Sequence, residues 1–141
     1  MADEDVPSYP ALSGRAWSLP ARWQDAEALP PSFARGDFLL DGPHCGAGVD
    51  AAAAAAAFRR AGVAAVIATS IDTAFFEAAL ASGVPALAIE EVAAIKSGDR
   101  LRVDIETYRV ANRNSGDRYI IKNLTDAALD QLRRFADVAG L

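Results

Sequence analysis

Apolar positions along the 141-residue chain come in short blocks separated by glycine, proline and acidic residues. "DFLLDG" (Asp37 to Gly42), "VAAVIATS" (Val63 to Ser70) and "VPALAI" (Val84 to Ile89) are compact runs bounded by turn residues, which predicts buried strands. "GRAWSL" (Gly14 to Leu19) predicts a short opening strand. The connection "PARWQDAEALPPSFARG" (Pro20 to Gly36) is broken by proline and has room for one short helical turn but no long helix. Two helices fall between the later strands. Asp50 stands at an N-cap position ahead of Ala51–Ala57, Phe58, Arg59 and Arg60, and Gly62 ends that helix. "DTAFFEAALASG" (Asp72 to Gly83) is the second, with Phe75, Leu80 and several alanines facing inward. Such short helix–strand connections predict parallel strands.

The pattern changes after Lys96. Ser97 to Leu124 alternates polar and apolar residues around a turn at "NRNSGD", which predicts a β-rich meander. Thr125 then caps a closing amphipathic helix with Ala128, Leu129, Leu132 and Phe135 on one face. The fold class is α/β: parallel strands and helices, then a β-rich C-terminal meander. The expected organisation is one domain over residues 12–141 behind a solvated, acidic and proline-bearing tail at 1–11.

Composition narrows the function. A net charge of −5 argues against a nucleic-acid partner, because a dense basic face would need offsetting acid elsewhere. No apolar run reaches the roughly 18–20 residues of a membrane span, and the first ten residues do not resemble a signal peptide, so a cytoplasmic location is expected. The lone cysteine, Cys45, excludes an internal disulfide and cannot by itself hold zinc or an iron–sulfur cluster. No metal site is expected in this chain.

Candidate chemistry gathers in "GPHCGAGVDAAAAAAAF" (Gly42 to Phe58), where a glycine turn opens the first helix. Gly46 and Gly48 suit a tight turn whose amides face a bound oxyanion. The run Gly46 to Ala51 also fits G-x-G-x-x-A, a dinucleotide fingerprint with Asp72 as a ribose partner. Against that, "GPHC" separates the strand from the first glycine, and the chain does not suit two mononucleotide-binding halves. Asp50 reads as a helix cap or as a general base at the mouth of the turn. His44 and Cys45 are the only histidine and cysteine. Neighbours in an extended segment point apart, so they do not pair with each other. His44 facing Asp50 would make an acid/base dyad suited to neutral pH, while a buried Cys45 and a surface His44 is the structural alternative. Arg59 and Arg60 read as a solvated helix end, Asp104 and Glu106 as one exposed strand face, and Trp17 and Trp23 as core or as the lining of a substrate region.

In order, "LSGRAW", "GDFLLDG", the G-x-G turn into a helix, "AGVAAVIATS", "FFEAALASGVPAL" and "IKSGDRLRVDIET" resemble the small subunit of 3-isopropylmalate dehydratase, the swivel domain of the aconitase superfamily. The resemblance implies a β/β/α swivel fold packed against a large subunit that carries a [4Fe–4S] cluster, in a hydro-lyase or isomerase. It also implies Ser-Ser-Arg after the glycines, a serine for proton abstraction and an arginine for a substrate carboxylate. Those positions here are Val49, Asp50 and Ala51, so all three polar functions are missing. The family's S-F-A-R-I-F-Y segment corresponds to "SIDTAFF", which keeps Ser70 but has Thr73 where the arginine belongs. Its D-T-D-x-I-I-P segment corresponds to "QDAEALP", with only Asp25 and Pro30 in common.

The expectation is therefore a divergent, repurposed relative that performs metal-independent proton transfer (dehydration, isomerisation or cyclisation) on a small metabolite. His44, Asp50 and Cys45 are its catalytic candidates, and Gly46, Gly48, Val49, Ser70 and Thr73 line the substrate. It has no cofactor of its own and stands alone or as a homo-oligomer. The alternative is a non-catalytic or ordinary small subunit completed by a large-subunit partner, with [4Fe–4S] entering only through that partner.

Overall fold

Strand β1 (Leu12–Ser18) is the pivot of the sheet, because its two halves pair with different neighbours. Leu12 to Arg15 run antiparallel to β5 (Arg100–Asp104), with Arg15 opposite Arg100. Ala16 to Ser18 run parallel to β2 (Phe38–Asp41), with Ala16 opposite Phe38. The structure, a computed structural model, describes residues 8–24 and 29–139. Most of the expected tail and Asp25 fall outside them.

Beyond β2 the order continues through β3 (Ala65–Ala68) to β4 (Ala86–Ala88), all parallel as expected. Beyond β5 it continues through β6 (Arg109–Asn112) to β7 (Arg118–Ile120), all antiparallel, which is the expected meander. Helix α1 (Ala51–Ala61) joins β2 to β3, and α2 (Thr73–Ser82) joins β3 to β4. A one-turn 3-10 helix (Val92–Ala94), absent from the sequence reading, precedes β5, and α3 (Asp126–Ala139) follows β7. Thr125 Oγ1 accepts from the Ala128 amide (3.1 Å) and caps α3 as expected.

β3 and β4 are shorter than their apolar runs. The flanking amides are committed to helix ends: Val63 N–H donates to Phe58 O (3.0 Å) and Val84 N–H to Ala79 O (2.9 Å), behind left-handed Gly62 and Gly83.

Two cores lie on opposite faces of the sheet. Leu39, Val66 and Ala68 face α1 and α2, where Trp23, Phe58 and Phe75 form an aromatic cluster with centroids 5.2–6.3 Å apart. Phe38, Leu40, Ile67, Leu101, Val103 and Val110 face α3 through Leu129 and Leu132. α1 and α2 pack against the parallel half of the sheet. On the antiparallel half, Arg102 and Arg109 alternate with buried Val103 and Val110 and stay exposed, as do Arg118 and Ile120, the latter 54% exposed.

At the far end the chain folds back on the sheet. Lys122 N–H donates to Ala88 O (2.9 Å), Ala88 N–H to Asn123 Oδ1 (2.8 Å), and Asn123 Nδ2 to Ala86 O (2.9 Å). The segment after β7 thus covers the open edge of β4, and the sheet curls on itself.

One expectation is corrected here. Glu106 is not on an exposed strand face, because β5 stops at Asp104 and the alternation ends there. Its carboxylate takes the guanidinium of Arg133 in a fork (2.8 and 2.5 Å) and the Tyr9 amide (2.7 Å). The Arg133 hydrogen bonds hold the Glu106 carboxyl below its ordinary range.

Candidate functional site

The glycine turn leaves the carboxyl end of β2 and returns as α1, beside the loop from β3 to α2. A single parallel bridge joins the two loops: Cys45 N–H donates to Ser70 O (3.0 Å), and Asp72 N–H to Cys45 O (2.9 Å). Ser70 Oγ adds a third tie by accepting the His44 amide (2.8 Å). The amino ends of α1 and α2 are therefore fixed side by side at the end of strands where open α/β sheets place ligands.

Each glycine has its own reason. Gly46 (φ 86°) lies against α2, and a Cβ there would overlap Phe75 Cβ and Cγ. Gly48 (φ 80°) has open space where a Cβ would stand, so only its left-handed backbone favours glycine. Alanine in α1 serves the same closeness: Ala54, Ala55 and Phe58 are its buried residues.

The catalytic candidates separate. Asp50 Oδ1 accepts the Ala53 amide (3.2 Å), so the aspartate is the N-cap of α1. Asp72 caps α2 in the same way, through Ala74 (3.2 Å). His44 is exposed and left-handed (φ 56°), and among the described residues no hydrogen bond or ion pair joins it to Asp50. The dyad is not assembled in this structure. Cys45 is buried at 1% exposure, and burial, then the neighbouring Asp41, pushes its thiol far above the ordinary range. A protonated, enclosed thiol does not suit a nucleophile. Of the substrate candidates, Val49 is half-buried against the α1–α2 core, Ser70 ties the loops together, and Thr73 is exposed at the first turn of α2.

Sequence reasoning missed Asp41 and the crevice beside it. Trp23 Nε1 donates to Asp41 Oδ2 (2.7 Å) and the Gly42 amide to Oδ1 (2.9 Å), which fixes the carboxylate at the last residue of β2. It lines a crevice of about 460 Å³ with Ser18, Leu19, Pro43 and Thr69, between the strand ends and the 3-10 turn. Its place at the end of a buried strand, just before Gly-Pro, was the available signal. Trp23 is core, as expected, at 6% exposure. Arg59 and Arg60 are exposed, and the Arg59 guanidinium lies 4.7 Å from the centre of the Phe135 ring.

Among the described residues no group of three or more His, Cys, Asp or Glu is placed to hold a metal. With one cysteine, enclosed and protonated, the chain's own donors do not fit an iron–sulfur cluster. No helix of the described residues is long and apolar enough to cross a membrane.

No family model matches the sequence. Individual relatives do. The 3-isopropylmalate dehydratase small subunit 1 of Archaeoglobus fulgidus is 36% identical over 104 residues, 71% of this chain and 65% of the relative. The 3-isopropylmalate dehydratase small subunit of Methanosarcina mazei is 34% identical over 119 residues, 82% of this chain and 71% of the relative. The chain thus spans about two thirds of the length of these curated relatives. Among solved structures, 3-isopropylmalate dehydratase from Methanocaldococcus jannaschii matches with a TM-score of 0.73 at 19% identity, over 93% of this chain and 98% of that one. Aconitase X from Thermococcus kodakaraensis matches with a TM-score of 0.50 at 15% identity, over 84% and 94%. These two likenesses concern the fold: a mixed, curled sheet with three helices. With the glycine turn at the carboxyl end of β2 and relatives at this identity, the chain belongs to the 3-isopropylmalate dehydratase small-subunit family.

Proposed function

We propose that residues 12–141 act as the swivel domain of a two-subunit, aconitase-type hydro-lyase of the cytoplasm, completed by a large subunit that carries the [4Fe–4S] cluster. The observation behind this reading is the match to small subunits over 82% of the chain. The cluster belongs to the partner, since this chain's donors do not fit one.

The chain's own contribution is a preformed rim. At the turn, the amides of Gly48, Ala51 and Ala52 have no hydrogen-bond partner among the described residues, and they are the groups available to an oxyanion. His44 is the exposed group able to carry a proton there. Asp50 changes what the rim accepts. It stands in the middle of the triplet where the family has Ser-Ser-Arg, and its charge repels a carboxylate that the arginine would have held. The substrate on this reading is a small hydroxy compound less anionic than 3-isopropylmalate.

The test is co-expression with an aconitase-type large subunit encoded in the same genome. A one-to-one complex that hydrates or dehydrates a hydroxy acid is expected. His44→Ala should lower kcat of that complex while leaving its assembly intact. A chain that never co-purifies and shows turnover alone would overturn the proposal in favour of a second reading, a repurposed metal-independent enzyme. Val49-Asp50-Ala51 is the observation that favours that alternative.

A further inference from the structure

A groove of about 700 Å³ opens at the amino ends of β1 and β2, at the opposite end of those strands from the glycine turn. Arg15, Arg100 and Arg113 line it, with Ser13, Trp17 and Asp37. The register places these exposed residues next to one another along the backbone. Arg15 and Arg100 are directly opposed across β1 and β5, and the Arg113 amide donates to Arg100 O (2.7 Å). Like charges opposed on neighbouring strands destabilise a sheet unless something neutralises them.

No ion pair among the described residues does. Their ion pairs are Lys122–Glu90, Arg133–Glu106 and Arg133–Asp130, none of which involves the groove. Asp37 is the one carboxylate in the wall, against three guanidinium groups, so the lining keeps a net positive charge. Asp37 accepts from the Arg15 amide (3.0 Å), Trp17 Nε1 (2.8 Å) and the Ala34 amide (3.0 Å). It therefore acts as a buried strut that fixes the Trp17 indole and the backbone of Arg15. Gly14 permits this closeness, since a Cβ there would lie 2.5 Å from Gly36 O. In a chain of net charge −5, three arginines outside any ion pair of the described residues line one concavity with a single carboxylate, which makes it anion-attracting.

We infer that this groove binds a small multivalent oxyanion, a phosphorylated or polycarboxylate metabolite, gripped by the guanidinium forks of Arg15, Arg100 and Arg113. Planar guanidinium groups suit paired oxygens of phosphate or carboxylate. The volume exceeds that of the anion alone, which leaves room for an organic body against Trp17. The site is separate from the crevice at the other end of the strands, and it stands whether or not the hydro-lyase reading does.

Titration calorimetry of the full chain with inorganic diphosphate and, separately, with citrate tests it at about 0.15 M salt. Saturable one-to-one binding of at least one probe is expected, and the tighter of the two identifies phosphate or polycarboxylate as the source. Arg100→Ala and Arg113→Ala should each weaken binding roughly tenfold. Arg100→Lys, which keeps the charge and loses the fork, should recover only part. Arg60→Ala, at the exposed end of α1, should change nothing. Circular dichroism melts check the fold of each variant, and Arg113, which lies outside the strands, keeps the test usable if Arg100→Ala does not fold. The inference is overturned by no saturable binding of either probe, by equal weakening in Arg60→Ala, or by binding confined to a polyanion such as an oligonucleotide.

Discussion

Single residues at the glycine turn show how one side chain changes meaning with its surroundings. Cys45 sits in the glycine turn, yet its thiol is buried and held protonated by desolvation and Asp41. The folded protein should resist iodoacetamide at pH 8, and denaturant should expose one reactive thiol per chain by mass spectrometry. Rapid alkylation of the native protein would contradict that packing. Glu106 is the reverse case, an acid read from sequence as solvated that is bonded to Arg133 and the Tyr9 amide. Its folded pKa lies below its unfolded value, so its stabilisation is present above the ordinary carboxylate range and lost as pH falls through the lowered value. Glu106→Gln should cost about 1 kcal/mol at pH 7, after allowing for solvent screening, in urea unfolding. The gap between variant and parent should close towards pH 3. The cap of α1 was legible because Asp ahead of an alanine run is a favoured N-cap, whatever else Asp50 does. The partner of Glu106 was not, because α3 brings Arg133 to it from 27 residues away.

At the scale of elements, turn and helix are one packing unit. Gly46→Ala places a methyl group inside Phe75 and forces a left-handed backbone at once, so it should cost roughly 2–4 kcal/mol. Gly48→Ala meets only the backbone penalty, about 1 kcal/mol. The two substitutions look alike in sequence, and chemical denaturation should separate them clearly; equal midpoints would mean that the turn does not lie against α2. The parallel strands and all three helices were readable because each is bounded by a local stop, such as Gly62 or Gly83. The divided pairing of β1 was not. Its residues alternate too weakly to say that Leu12–Arg15 and Ala16–Ser18 have different partners. The His44–Asp50 dyad that the spacing suggested is not joined in this structure, where the backbone at His44 is left-handed and Asp50 caps α1.

Across the whole molecule, charged residues are distributed unevenly between the two ends of the parallel strands. Asp41, Asp50 and Asp72 stand around the carboxyl end, and Arg15, Arg100 and Arg113 around the groove at the amino end. Such a distribution orients a subunit before contact, so association with a charged partner should slow as salt is raised. The curl of the sheet also belongs to this scale. Asn123→Ala removes both hydrogen bonds from Asn123 to β4 and should cost about 1–3 kcal/mol. It should also raise light scattering during refolding, because a bare strand edge recruits another. Unchanged refolding yield would show that Lys122 alone protects that edge.

Asn123 lies 35 residues beyond the Ala88 amide that it covers. During synthesis at roughly 5–20 residues per second, β4 therefore emerges several seconds before its cover exists. For that interval the nascent parallel half has a naked edge and no α3 on its second face. The chain is exposed to misassembly while its glycine turn is already built, and a pause in translation between Ala88 and Asn123 would lengthen the hazard.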